Sequence, residues 1–408
     1  MKTFFIILIE LEYEANRFIE LKLITFKLLS SENGESMWRL FPRAFSLTVM
    51  IMKILKLPIV VQRELFSCMN YKEVFHFSLC SKQSFYRIKS LQSVRFSNIK
   101  FVEFMFAKNQ INVTIMPKNG DPRLRFEQIL SVKPEDSEWK KFIQIEMSGN
   151  VMKFRRQTAE DKLVAEHDCK SQMESFLNVI YDNVSNLFGN DIEYRMLHDL
   201  FHEDLSKPIH QNIKVSRIWT QNRTVRELDE HFSSLPKQEF INICMGNMKG
   251  RLKEDSKIYD AEVVDVNDTE RTIVPDVLRH FNGQQATLFT EYFDLSEILQ
   301  FMNGWTSNQS NQNLMNLSLI SEKPSFDLNV LTELAGIKHT NSQVDPPYYK
   351  YEKRIYINEQ NVSSRGFHSR SYIVREFDGK VASLIMSSRE FVFGVWNMTE
   401  EEFLNKFS

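Results

Sequence analysis

Residues 53–91, KILKLPIVVQRELFSCMNYKEVFHFSLCSKQSFYRIKSL, decide how this chain is read. Leu57-Pro58 opens an apolar helix, because proline's fixed φ suits a first turn where its missing N–H costs nothing. Val61, Leu65 and Met69 then recur every four residues, with Phe66 and Cys68 beside them, which is the stripe of a core-facing helix. Asn70 reads as an N-cap, and Glu73 three residues on completes a capping box. The next helix carries Val74, Phe75, Phe77, Leu79 and Cys80, apolar on more than one face. Such a helix must be covered on several sides, and three short helices cannot bury this much apolar surface among themselves. On periodicity alone the module is either a hairpin inside the protein's own core or half of an interface.

The stretch resembles an F-box, aligned without a gap. Leu57-Pro58 matches the family's opening Leu-Pro, and Val61, Leu65, Phe66 and Met69 fall on its first apolar positions. Val74, Phe75, Phe77, Leu79, Cys80, Ser81 and Lys82 fall on the run of leucines that ends in Val/Cys-Ser-Lys/Arg. Ser84 stands where an aromatic is usual, and Phe85 follows it. The resemblance implies an F-box at 52–93 that docks onto the Skp-type adaptor of a cullin–RING ubiquitin ligase. The remainder of the chain would then select the protein to be ubiquitinated. The implied docking set is Leu57, Pro58, Val61, Leu65, Phe66, Met69, Val74, Phe75 and Leu79, some of which must instead form the module's own core.

At 408 residues the chain allows two or three domains. Apolar residues at 42% and charged residues at 25% are ordinary for globular proteins. Lys and Arg number 51 against 53 Asp and Glu, so nothing marks a nucleic-acid partner. Cys68, Cys80, Cys169 and Cys244 are scattered rather than arranged as a disulfide framework, and read as buried thiols of an intracellular protein. FFIILI at 4–9 stops at Glu10 with no small-residue cleavage site, and no stretch reaches the roughly 18 apolar residues of a membrane span. Residues 1–51 therefore read as an accessory or poorly ordered extension.

After the F-box the texture changes. Residues 94–157 read as short strands, VRFSNIKFVEFMF, INVTIMP, RLRFEQIL, KFIQIEM and NVMKFRR, broken by turn residues such as those at 118–122. A charged stretch at 157–172 leads into an amphipathic helix with Phe176, Ile180, Val184 and Leu187 on one side. From IKVSRIW at 213 onward, strands and helices alternate, through VRELDEHFSSL, FINICM, VPDVLRHF, ATLFTEYF, DLSEILQFMNGW and LMNLSLI. The expected fold class is mixed α/β (α+β). A three-helix F-box precedes an alternating strand–helix domain, layered or solenoid-like, with uneven spacing.

A second resemblance covers the end of the chain. ATLFTEYFDLSEILQFMNGWTSNQSNQNLMNLSL is similar to the end of the F-box-associated type 2 domain of large nematode F-box families. Leu288, the Leu295/Ile298/Leu299/Phe301 stripe, Trp305 and the Leu314/Leu317/Leu319 strand carry it. YIVREFDGKVASLIMSSREFVFGVW resembles the ending of those chains, with an Arg-x-x-Asp-Gly turn between strands. Asp378-Gly379 is a hairpin signal in its own right. This divides the chain into 94–215, a mixed strand/helix region, and 216–408, an F-box-associated type 2-like domain.

No catalytic constellation competes with this reading. His198 and His202 could ligate a metal from one helix face, but a zinc peptidase needs Glu directly after the first His, and Asp199 stands there. Cys68, Cys80 and His76 lack a Cys-x-x-Cys pair. Asp260 to Asp268 carries four acidic residues without the glycine of a calcium loop, and reads as a solvated loop. Trp305 and Trp396 read as core anchors. The expectation is a non-catalytic protein with no cofactor, no metal, no nucleic acid and no membrane. Its partners are a Skp-type adaptor and an unknown target. The alternative is a non-degradative interaction module whose F-box is structural.

Overall fold

The computed structural model describes residues 54–107, 110–118, 127–134, 143–147, 150–157, 162–167, 170–200, 213–324, 336–352 and 364–407. The extension at 1–51, Cys169 and His202 lie outside them. Three helices come first: α1 (Ile59–Cys68), α2 (Tyr71–Ser78) and α3 (Lys82–Phe96). The strands expected after residue 94 begin later, because Ile88, Gln92 and Phe96 are buried at helical spacing and carry α3 through Phe96.

There follow β1 (Ile99–Ala107), β2 (Gln110–Pro117), β3 (Glu127–Pro134), β4 (Ile143–Met147), β5 (Asn150–Gln157) and β6 (Lys162–His167). Helix α4 (Lys170–Phe188) leads to β7 (Glu193–Leu200), β8 (Val215–Gln221), α5 (Val225–Ser234) and β9 (Phe240–Gly246). A 3-10 turn, Lys257–Asp260, precedes β10 (Val263–Asp268), then α6 (Val274–His280), β11 (Gln285–Thr290), α7 (Leu295–Thr306) and β12 (Asn316–Ser321). The chain closes with β13 (Lys338–His339), β14 (Tyr348–Glu352), β15 (Ser364–His368), β16 (Ser371–Val374), β17 (Lys380–Met386), β18 (Glu390–Thr399) and α8 (Glu400–Phe407).

Sixteen of the described strands form one sheet. Its centre is parallel: β1, β7, β8, β9, β10, β11 and β12 lie side by side, each paired in parallel with the next. The register is continuous, with Val215, Phe240, Val263, Gln285 and Asn316 in one row. The flanks are largely antiparallel, β2, β3, β6, β5 and β4 beyond β1, and β18, β17, β16 and β13 beyond β12. The fold is thus mixed α+β, as the alternation of patterns predicts.

Alternation along each strand sorts the two faces. Ile218, Ile241, Ile243, Val264, Val266, Leu288, Leu317 and Leu319 share one core with Leu228 and Phe232 of α5, Val277 of α6, and Ile298 and Trp305 of α7. Helices therefore cover this face. The other face carries a separate apolar row, Val215, Phe240 and Val263, and the buried pair Glu103 and Arg217, 3.5 Å apart. The chain leaves β8 and β9 through residues in the left-handed region, Asn222 at φ 58° and Asn247 at φ 51°, a conformation asparagine tolerates better than most residues. Asp268, buried, accepts from the N–H groups of Ile273 at 2.6 Å and Val274 at 3.2 Å and so fixes the start of α6.

Two readings of the sequence are corrected here. The acidic stretch to Asp268 is not a solvated loop from Val263 onward but β10, a central parallel strand whose Val263, Val264 and Val266 are buried. His198 stands on a strand, not a helix: β7 is flanked by β1 and β8, and His198 is fully buried beside Phe106. A strand rises about 3.3 Å per residue, so positions four apart stand about 13 Å from each other, and the single helical turn that a His198 metal site would use is absent.

The Asp378-Gly379 signal falls in a hairpin. β16 and β17 pair antiparallel around Asp378-Gly379, with Gly379 at φ 69° in the turn. Arg375 donates to Asp378 through Nε at 2.9 Å and Nη2 at 2.6 Å, lies 5.2 Å from the Trp305 ring, and donates through Nη1 to Gln312 O. Trp305 is fully buried, and Trp396 packs on Tyr349 and Phe403 with its Nε1 donating to Ser383 Oγ.

Candidate functional site

The three N-terminal helices are built as the local sequence dictates. Pro58 immediately precedes α1, and its carbonyl accepts from Gln62 N at 3.0 Å. The buried Gln62 side chain donates back to Leu55 O and Leu57 O, folding the approach segment onto the helix. The expected capping box is present: Asn70 Oδ1 accepts from Glu73 N at 2.8 Å, and Asn70 N donates to Glu73 Oε2 at 3.0 Å. Ser81 caps α3 by accepting from Ser84 N at 3.0 Å. Ser84, which replaces the usual aromatic, is fully buried with its hydroxyl 2.8 Å from that of Ser81.

Helix α2 is sunk between the module and the sheet. Tyr71, Glu73, Val74, Phe75, His76, Phe77 and Ser78 are all buried. Phe77 packs on Phe66 of α1, and Phe75 stacks with Phe188 of α4, which also meets Phe96 of α3 edge-on at 4.9 Å. Polar ties join the same bodies. Glu127 of β3 accepts from Lys72 N at 2.8 Å and Tyr71 N at 3.2 Å, and His76 Nε2 donates to Ile129 O at 2.8 Å. Burial raises the Glu127 pKa, opposed by those two backbone hydrogen bonds and by the charges of Lys72 and Arg95. The surplus apolar surface of α2 is therefore covered by the protein's own sheet.

That leaves α1 and α3 to face outward. Gln92 Nε2 donates to Arg63 O, and Arg95 Nη1 to Phe66 O, so these helices run side by side. Their outward positions carry Ile59 at 49% exposure, Val60 at 61%, Tyr86 at 69% and Val94 at 82%. The implied docking set divides across this boundary. Val61, Phe66, Met69, Val74 and Phe75 are buried in the described protein. Leu57, Leu65 and Leu79 are half-buried, and Pro58 is exposed. Ile59, Val60, Tyr86 and Val94 are not among the residues that periodicity singles out, because a stripe of spacing marks the face that is covered.

One cysteine reading changes. Cys68 is exposed, not a buried thiol, since the covered side of α1 is Val61, Gln62 and Phe66. Cys80 is exposed as a residue, but its Sγ donates to His76 O at 3.4 Å and burial pushes the thiol pKa up to about 12. His76 meets the sheet instead of joining them. Among the described residues, no group of three or more His, Cys, Asp and Glu could hold a metal ion, and no helix is long and apolar enough to cross a membrane.

Comparison with known families matches residues 54–96 to the F-box domain. No curated protein and no solved structure matches the chain. The match spans α1, α2 and α3 through Phe96, the residue at which α3 ends. Residues 54–96 of this chain are an F-box domain.

Proposed function

We propose that this chain is a substrate-recognition subunit of an SCF-type cullin–RING ubiquitin ligase. The F-box docks onto a Skp-type adaptor through the outer side of α1 and α3, and the sheet domain that follows holds a target protein. Catalysis belongs to other subunits: raising the effective concentration of target lysines near the transfer machinery needs affinity and geometry, not a reactive group in this chain. In this reading the C-terminal part is an F-box-associated type 2 domain, and the protein works inside the cell.

The observation that carries the proposal is the F-box match together with the direction in which the module faces. Its inner helix α2 is buried against β3, while Pro58, Ile59, Val60, Tyr86 and Val94 remain outside. Exposed apolar residues grouped on one side of a small module mark a protein interface. The experiment is co-purification of the full chain with a Skp-type adaptor, comparing wild type with the double variant Leu57→Ala, Pro58→Ala. Weakened capture with an unchanged melting transition supports the proposal. Equal behaviour of the two proteins contradicts it and favours an F-box that serves only as a cap on the sheet.

A further inference from the structure

The charge on the F-box is opposite in sign to that of the whole chain. Residues 54–96 hold Lys56, Arg63, Lys72, Lys82, Arg87, Lys89 and Arg95 against Glu64 and Glu73, while the complete chain has a formal net charge of -2. The distribution within the module is uneven as well. Glu73 is buried in the capping box, and Arg95 turns inward to Phe66 O and lies over the Tyr71 ring. Arg63, Lys82 and Lys89 are exposed on the same helices that present Ile59, Val60, Tyr86 and Val94, and Lys56 is exposed in the turn before α1. Glu64 is the one exposed acidic side chain described in this module. Among the described residues, Lys56, Arg63 and Lys89 form no ion pair.

Side-chain spacing places these groups together. On α1, Ile59 and Arg63 are four apart, as are Val60 and Glu64, which puts them on one flank. On α3, Lys82, Tyr86, Lys89 and Ser93 are four, three and four residues apart, which also puts them on one flank. The bonds from Gln92 to Arg63 O and from Arg95 to Phe66 O hold the two helices side by side. Exposed apolar residues interspersed with cations and a single anion on two adjacent helices are the complement of an apolar surface bordered by carboxylates.

We infer that the outer face of α1 and α3 recognises an acidic protein surface, so that the docking surface of the Skp-type adaptor for this chain is a carboxylate-rimmed apolar patch. The inference rests on the proposed adaptor role and adds the chemistry of recognition to it. Apolar contacts hold the complex, and the basic rim steers the encounter. Steering by exposed charge acts on the association rate and is screened by salt, whereas the buried apolar centre governs dissociation.

The test is the association kinetics of the full-length chain with a purified Skp-type adaptor, measured across ionic strength. The expected result is an association rate that falls about tenfold between about 50 and 500 mM salt, with a dissociation rate that changes far less. The variant Arg63→Glu, Lys89→Glu is expected to slow association about tenfold at low salt, and Arg63→Lys to leave it unchanged. Both positions are exposed, and an unaltered melting transition shows that the variants fold. Binding that is insensitive to salt, with charge reversal changing the association rate less than twofold, overturns the basic-rim inference and leaves the adaptor role standing. Absence of any binding by folded wild type overturns the adaptor role itself, and the inference with it.

Discussion

The Glu127 carboxylate on β3 accepts a 2.8 Å hydrogen bond from the backbone N–H of Lys72, at the start of α2. Its second oxygen accepts from Tyr71 N. A strand residue thus satisfies two donors that the first turn of a helix leaves unpaired, and its negative charge sits at the positive end of the helix dipole. The contact joins the F-box to the sheet across 55 residues of sequence. It makes the direction of the outer face a property of the whole fold rather than of a flexible tether.

Glu127→Ala is expected to lower stability by about 1–2 kcal/mol, the usual scale for losing a helix cap. Hydrogen exchange at the Tyr71 and Lys72 amides should accelerate more than exchange in β9 or β10. Equal acceleration everywhere would mean that the carboxylate supports global stability without holding α2 locally.

Phe188 is where the F-box and α4 meet, touching Phe75 and Phe96. Phe188→Ala is expected to cost about 3–5 kcal/mol by opening a cavity between them. Chemical denaturation read by fluorescence and circular dichroism should show the loss, and a change below about 1 kcal/mol would show that the module is only loosely seated.

Glu103 and Arg217 form a buried pair on the sheet face opposite the helices. Burial raises the Glu103 pKa and lowers that of Arg217, each opposed by the other's charge, so desolvation is the larger effect for both. Arg217→Met leaves Glu103 with Arg195 as its remaining neighbouring charge, and should destabilise by about 3 kcal/mol. The double variant Glu103→Leu, Arg217→Met should recover much of that loss, because an apolar pair of similar size carries no desolvation penalty. Additive losses in the double variant would contradict this.

His198 gives the fold a pH dependence. Complete burial, reinforced by the neighbouring His231, lowers its pKa well below the ordinary value. The unfolded chain takes up a proton near pH 6.5 while the folded chain still refuses it. Stability is therefore full above about pH 6.5 and falls as the pH drops, by up to about 1.4 kcal/mol per pH unit for this residue. His198→Leu should flatten the fall measured by denaturant titration between about pH 6.5 and 5. An unchanged slope would assign the acid sensitivity to other groups.

Local patterns were legible in the sequence where a local cause sets the structure. The Asn70 and Glu73 box, the Asp378-Gly379 hairpin and the alternating elements from Ile213 to Leu319 all depend on near neighbours or on a clear period. β7 was not legible, since EYRMLHDL carries polar residue types on both faces, and Arg195 and His198 are buried on opposite ones. β10 was hidden in the same way by Asp265 and Asp268, the second of which is buried as a helix cap. The seat of the F-box on the sheet was also out of reach, because Glu127 and Lys72 are partners only in three dimensions. Hydrophobic periodicity points to the covered side of α1, and the outward Ile59 and Val60 appear only when the covering elements are in place.

The most direct test of the account is the affinity of a purified Skp-type adaptor for the full-length chain, wild type against Ile59→Asp, Val60→Asp. Both residues are exposed, so the variant should keep the wild-type melting transition. Placing two carboxylates in the apolar centre of the interface should weaken binding by at least about a hundredfold, on the scale of a lost interface hot spot. Wild-type affinity in the folded variant would contradict the claim that this face of the F-box is the docking surface.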